Sequence, residues 1–131
     1  MVQTQPNKIL VIEEDEELIR ESIVYLLEVK GFIVINTADG YSKVRLAKKL
    51  VPDIILCDVR LPGLNGYQVL TAMRADPLTA NIPLIFLTAQ TSLADLEQIQ
   101  NLAVNGYLAE PFTTAALLKV ISDYLNKGTE L

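Results

Sequence analysis

Four apolar runs in this 131-residue chain end on side chains that could do chemistry. "KILVI" is followed by Glu13, Glu14 and Asp15, "DIILC" by Asp58, "PLIFL" runs into Thr88, and "YLA" stops at Glu110 ahead of a proline. Carboxylates brought together repel one another unless a proton or a cation lies between them, and a hard divalent ion with oxygen ligands offsets that repulsion. Magnesium typically takes one or two carboxylates, keeps several waters and binds a substrate phosphate, so these residue types together point to phosphoryl chemistry around a dication. Taken singly, each group has a plainer account. Acids after a strand suit the positive first turn of a helix. Asp58 could cap a turn, and Thr88 could be an ordinary strand residue.

For these groups to meet, the runs they follow must lie side by side and point the same way. The runs read as strands over 8–12, 32–36, 53–57, 83–88 and 106–109. Their unbroken Ile, Val and Leu character is that of strands covered by helices on both faces. Segments of helical period separate them, over 16–30, 40–50, 66–75, 93–103 and 114–126. In the first, Ile19, Ile23, Leu26 and Leu27 share a face, with Asp15 as N-cap and Gly31 as the stop. In the last, Leu117, Val120, Ile121, Tyr124 and Leu125 share one behind Thr113. Strand then helix, repeated, predicts right-handed crossovers and an α/β fold: a doubly wound five-stranded parallel sheet with helices on both faces. In such a sheet the ligand site lies beyond the carboxyl ends of the strands, where strand order reverses, and all four groups leave the sheet at that rim.

Composition narrows the function classes. With 131 residues and 50% hydrophobic content the chain has the size of one domain, expected over 1–131 with a core of about 8–126. Cys57 is the only cysteine, so no intramolecular disulfide can form; it is expected to be a buried small hydrophobe in a reducing, cytoplasmic setting. No uncharged apolar stretch reaches the ~18 residues of a membrane span, and there is no leader-like start, so no membrane partner is expected. A net charge of −5, from 11 basic and 16 acidic residues, argues against direct nucleic-acid binding, which needs clustered Lys and Arg.

The segments "ILVIEEDEEL", "PDIILCDVRLPGLNGYQVL", "IPLIFLTA" and "YLAEPF" resemble, in order and spacing, the strand-end motifs of the receiver domain of two-component response regulators. The stretch around Asp58, with Pro62, Gly63 and Gly66 shaping the loop behind it, is the most specific of them. The resemblance runs from Lys8 to Asn126 and implies the flavodoxin-like strand order 2-1-3-4-5. It also implies a signalling domain rather than an enzyme, which accepts a phosphoryl group on Asp58 from a sensor histidine kinase or phosphotransfer protein in a phosphorelay. A carboxylate can form an acyl phosphate, and a Mg2+ or Mn2+ ion can offset charge on the incoming oxygens. By the same resemblance Glu14 ligates the metal directly, Glu13 acts through water, and Asp58 and the Arg60 backbone carbonyl complete the protein ligands. Thr88 is the hydroxyl that bonds the phosphoryl group. Tyr107 is the aromatic that turns inward with it, although a fixed half-buried ring fits that position as well. A downstream effector or a second copy would then bind through the fourth helix, fifth strand and fifth helix.

Two positions depart from the family pattern in a way that matters to charge. A lysine usually precedes the proline after the fifth strand, and here that residue is Glu110; the direct metal ligand is usually Asp, and here it is Glu14. A lesser departure is Ala103, where glycine is common. Exchanging cation for anion changes the local charge by two units, each interacting at ~4 Å and an effective dielectric of ~20 with on the order of 4 kcal/mol before solvent relaxes. An inward Glu110 is therefore not neutral for a switch whose states differ by a few kcal/mol, whereas an outward one is harmless. Arg60 is a nearby cation that could compensate in part. Two other readings follow. A phosphorylation-independent pseudo-receiver would keep the fold as a protein-interaction module. A metal-dependent phosphohydrolase fits less well, because Arg60 stands two residues after Asp58, where a second acid would be the general acid and base.

Overall fold

The apolar runs do become strands, and their neighbours are helices of the expected period. In the computed structural model the order is β1 (Lys8–Ile12), α1 (Glu17–Val29), β2 (Ile33–Thr37), α2 (Gly40–Leu50), β3 (Ile54–Asp58), α3 (Gly66–Ala75), β4 (Leu84–Thr88), β5 (Gly106–Ala109) and α4 (Thr114–Lys127). The structure describes residues 7–12, 17–37, 40–59, 65–88, 105–109 and 112–127. The helix expected over 93–103 lies outside them, so α4 is the fifth of the predicted helices. The five strands are all parallel and lie in the order β2-β1-β3-β4-β5. Strand order reverses between β1 and β3, which makes their carboxyl ends the switch point of the sheet.

Because side chains alternate across a strand, one apolar run supplies two cores. Leu10, Ile12, Ile55, Cys57, Leu84 and Phe86 pack against Ala47 of α2 and Val69, Leu70 and Met73 of α3. Ile9, Val11, Ile54, Leu56, Ile85 and Leu87 go to the opposite face, against Ile23 and Leu27 of α1 and Leu117 and Ile121 of α4. Cys57 is wholly buried, as its place in the run predicts.

The boundaries differ from the expected ones by a residue or so, for identifiable reasons. Phe32 is not the first residue of β2, because its amide is committed to closing α1: it donates to the Leu27 carbonyl at 3.1 Å while the Gly31 amide donates to Glu28 at 3.0 Å. Those two bonds form a Schellman motif around Gly31, whose φ of 96° is one that glycine adopts without strain. Asp53 likewise stands ahead of β3 and clasps β1, its amide donating to the Lys8 carbonyl and its Oδ2 accepting from the Lys8 amide at 2.7 Å. Asp58 is consequently the last residue of β3 rather than the first after it.

At the opposite, amino edge of the sheet the elements are tied by polar contacts. The Arg74 guanidinium donates to the Ala80 and Ile82 carbonyls at 3.1 and 2.9 Å and to Asn105 Oδ1 at 2.7 Å. Asn105 Oδ1 also accepts from the Leu84 amide at 2.8 Å, and the Tyr124 hydroxyl donates to the Asn105 carbonyl. Partial burial pushes the Arg74 pKa down.

Candidate functional site

Asp58 reaches the carboxyl edge on a strand whose other four residues are wholly buried, and it is itself only 7% exposed. Among the described residues it is the one buried ionisable acid. A buried carboxylate is stable when paired, protonated or bound to a cation, and this position is one where a cation would suit it. Register places the other candidate acids by chain order. Ile12, which precedes Glu13, pairs with Cys57, which precedes Asp58, and neighbouring parallel strands stand about 4.8 Å apart. On the other side Asp58 pairs with Leu87, one residue before Thr88. Thr88 in turn pairs with Ala109, which precedes Glu110. β1, β3, β4 and β5, which lead to these groups, thus all end at the same edge of the sheet, with β1 and β3 at its switch point.

Glu13, Glu14, Arg60 and Glu110 lie outside the described residues, as do Asp15, Pro62, Gly63 and Ala103. Thr88 is described by its backbone, as the last residue of β4. Tyr107 pairs with Phe86 and is 39% exposed, so its ring reaches solvent on the face shared with α2 and α3. Asp58, a hard anionic oxygen donor at the open end of a parallel sheet, fits a divalent cation. The described residues hold no group of three or more His, Cys, Asp and Glu that could complete such a site; Glu13 and Glu14 are the remaining acids of the expected set.

The first turn of α3 is built against the end of β3. Asn65 caps the helix with a reciprocal pair of bonds, its Oδ1 accepting from the Gln68 amide and the Gln68 Oε1 accepting from the Asn65 amide, both at 2.9 Å. The Gly66 amide donates to the Val59 carbonyl at 2.7 Å, closing the loop that follows Asp58 at its neck. A β-carbon on Gly66 would stand 2.6 Å from the Asp58 carbonyl oxygen, 2.8 Å from the Val59 Cα and 3.2 Å from the Phe86 ring. The Phe86 ring is held edge-on to Tyr67, with centroids 5.5 Å apart. The Asn-x-x-Gln spacing is that of a capping box, and Gly66 stands out in the sequence as a loop-shaping glycine behind Asp58, but its contact with the Asp58 carbonyl forms only when the helix docks.

With this geometry in place, comparison with known proteins is decisive. A family model, the response regulator receiver domain, matches residues 9–122. This chain belongs to that family. The receiver domain is 31% identical over 119 residues to the polar-differentiation response regulator DivK of Brucella ovis, across 91% of this chain and 97% of that protein. Among solved structures it is similar to the receiver domain of a sensor histidine kinase from Pseudomonas aeruginosa PAO1, with 34% identity, a TM-score of 0.85 and coverage of 92% and 98% of the two chains. That structure has a magnesium ion coordinated in its active-site cleft. A response regulator receiver domain protein from Clostridium thermocellum matches with a TM-score of 0.84 at 26% identity, covering 94% of this chain and 97% of that one. The receiver domain is thus a module of two-component signalling, with the family's strand order. No helix among the described residues is long and apolar enough to cross a membrane.

Proposed function

We propose that this receiver domain accepts a phosphoryl group on Asp58 from a sensor histidine kinase or a phosphotransfer protein, in the cytoplasm. The observation that carries the reading is the burial of one carboxylate, Asp58, at the carboxyl end of β3 beside the β1/β3 switch point. An Asp58 carboxylate oxygen attacks the phosphorus of a phosphoimidazole protonated on its other ring nitrogen, the P–N bond breaks with its electron pair going to that ring, and neutral imidazole leaves while an acyl phosphate forms. Glu13, Glu14, Asp58 and the Arg60 carbonyl would hold Mg2+ or Mn2+, which offsets charge on the phosphoryl oxygens when bound. Thr88 donates a hydrogen bond to the phosphoryl group. Tyr107, which is over a third exposed, is free to exchange its outward position for an inward one and so change the surface offered to an effector or second copy. The test is direct. Incubation with Mg2+ and acetyl phosphate should add one phosphoryl mass to the intact protein, and Asp58→Asn should abolish the increment.

One observation favours a second reading. Glu110 puts an anion where the family usually has the lysine that bonds the phosphoryl group. A domain that keeps its surface and has lost phosphate sensing would act as an interaction module without modification. Wild-type protein that gains no mass under those conditions, with or without Mg2+, supports this reading over the first.

A further inference from the structure

Gly66 is where α3 meets the main chain of Asp58, and the contact is made by space rather than by conformation. The φ of Gly66 is not positive, so a larger residue there would not be refused for its backbone angles. It would be refused by two backbone atoms, the Asp58 carbonyl oxygen at 2.6 Å and the Val59 Cα at 2.8 Å from the added carbon, neither of which can rotate away as a side chain could. The same peptide is held from the other sides. The Val59 amide donates to Leu87 of β4 at 3.3 Å, the Cys57 thiol donates to the Asp58 carbonyl at 3.3 Å, and the Val59 carbonyl accepts from the Gly66 amide.

From this we infer that Gly66 is a positioning residue for phosphoryl acceptance: by letting the first turn of α3 close onto β3, it sets where the Asp58 carboxylate and the loop behind it stand. The inference rests on the phosphoacceptor reading of Asp58 and adds a residue to it. A methyl group at Gly66 must move from 2.6 Å to beyond 3.0 Å from the Asp58 oxygen, a forced separation of at least 0.4 Å. Reacting groups must be held to about half an ångström, and a displacement of about 1 Å can cost ~100-fold in rate. The displacement also reaches Val59, the residue before the Arg60 carbonyl that the proposed site uses as a ligand, so the affinity for the cation should fall with the rate.

The experiment compares wild type, Gly66→Ala and Asn65→Ala. Asn65→Ala removes the cap of the same helix without adding an atom against Asp58, and so separates loss of helix stability from displacement of the acceptor. Rates of mass gain are measured over a range of acetyl phosphate, and Mg2+ affinity is measured separately by titration of tyrosine fluorescence. Gly66→Ala should lower the maximal rate at least about tenfold and weaken Mg2+ binding, with little change in the half-saturating donor concentration. Asn65→Ala should stay within about twofold of wild type in both. A Gly66→Ala protein that modifies and binds Mg2+ within about twofold of wild type overturns the inference while leaving the phosphoacceptor reading intact. Wild type that gains no mass overturns that reading, and the inference with it. Should Gly66→Ala fail to fold, it is repeated with Val51→Gly as a stabilising second change. Failure to fold there too would assign Gly66 to folding alone and overturn the positioning role.

Discussion

At the scale of single residues, the burial of Asp58 is what the proposed chemistry starts from, and the charge at position 110 is its sharpest test. Asp58 sits almost out of water at the end of an apolar strand, where an added phosphoryl group needs compensating positive charge. A lysine in place of Glu110 would supply some of it. We expect Glu110→Lys to lengthen the lifetime of the phosphorylated form by about tenfold, which needs only ~1.4 kcal/mol of the charge swing to be felt at the phosphoryl group. Decay of the modified mass over time measures this, and an unaltered lifetime would show Glu110 to be an outward bystander.

At the scale of elements, the ends of the helices carry most of the local sequence logic. Gly31 terminates α1 and Asn65 starts α3, and the Thr113 hydroxyl accepts from the Ala116 amide at 3.0 Å to start α4. The end of α2 is the exception. Val51 follows that helix with φ 47°, left-handed backbone that a β-branched residue tolerates poorly, and the proline after it restricts the position further. Its side chain is 45% exposed, so little burial repays the strain. Relief of ~1–2 kcal/mol, less part of the entropy glycine loses on folding, leaves Val51→Gly more stable by about 1 kcal/mol. The midpoint of urea denaturation should rise accordingly, with the slope of the transition unchanged.

At the scale of the whole molecule, the two edges of the sheet divide the work. The carboxyl edge carries Asp58, and the amino edge fastens the elements to one another. Asn105 is the centre of that fastening, since it joins Arg74 in the last turn of α3, the Leu84 amide of β4 and, through its carbonyl, Tyr124 of α4. Asn105→Ala would strip the acceptor from a buried amide and a partly buried guanidinium. Each orphaned group costs ~1–3 kcal/mol, moderated here because Asn105 borders water, so a loss of about 2 kcal/mol is expected in chemical denaturation. Tyr124→Phe removes one bond and should cost about half as much.

What could be read from residues alone was whatever depends on near neighbours in the chain. Helix faces follow from a period of about 3.6, so Ile23, Leu27, Leu117 and Ile121 point inward as their spacing predicts, and Cys57, at the end of an unbroken apolar run, is buried as expected of a small hydrophobe. The order of the strands came from family resemblance, because an unbroken apolar run does not say which other run lies beside it. Tertiary structure alone decided the rest: the fastening through Asn105 and the approach of Gly66 to Asp58. Arg74, Leu84, Asn105 and Tyr124 are far apart in sequence and meet only in the folded chain, and Gly66 comes against the Asp58 carbonyl only once α3 has packed onto β3.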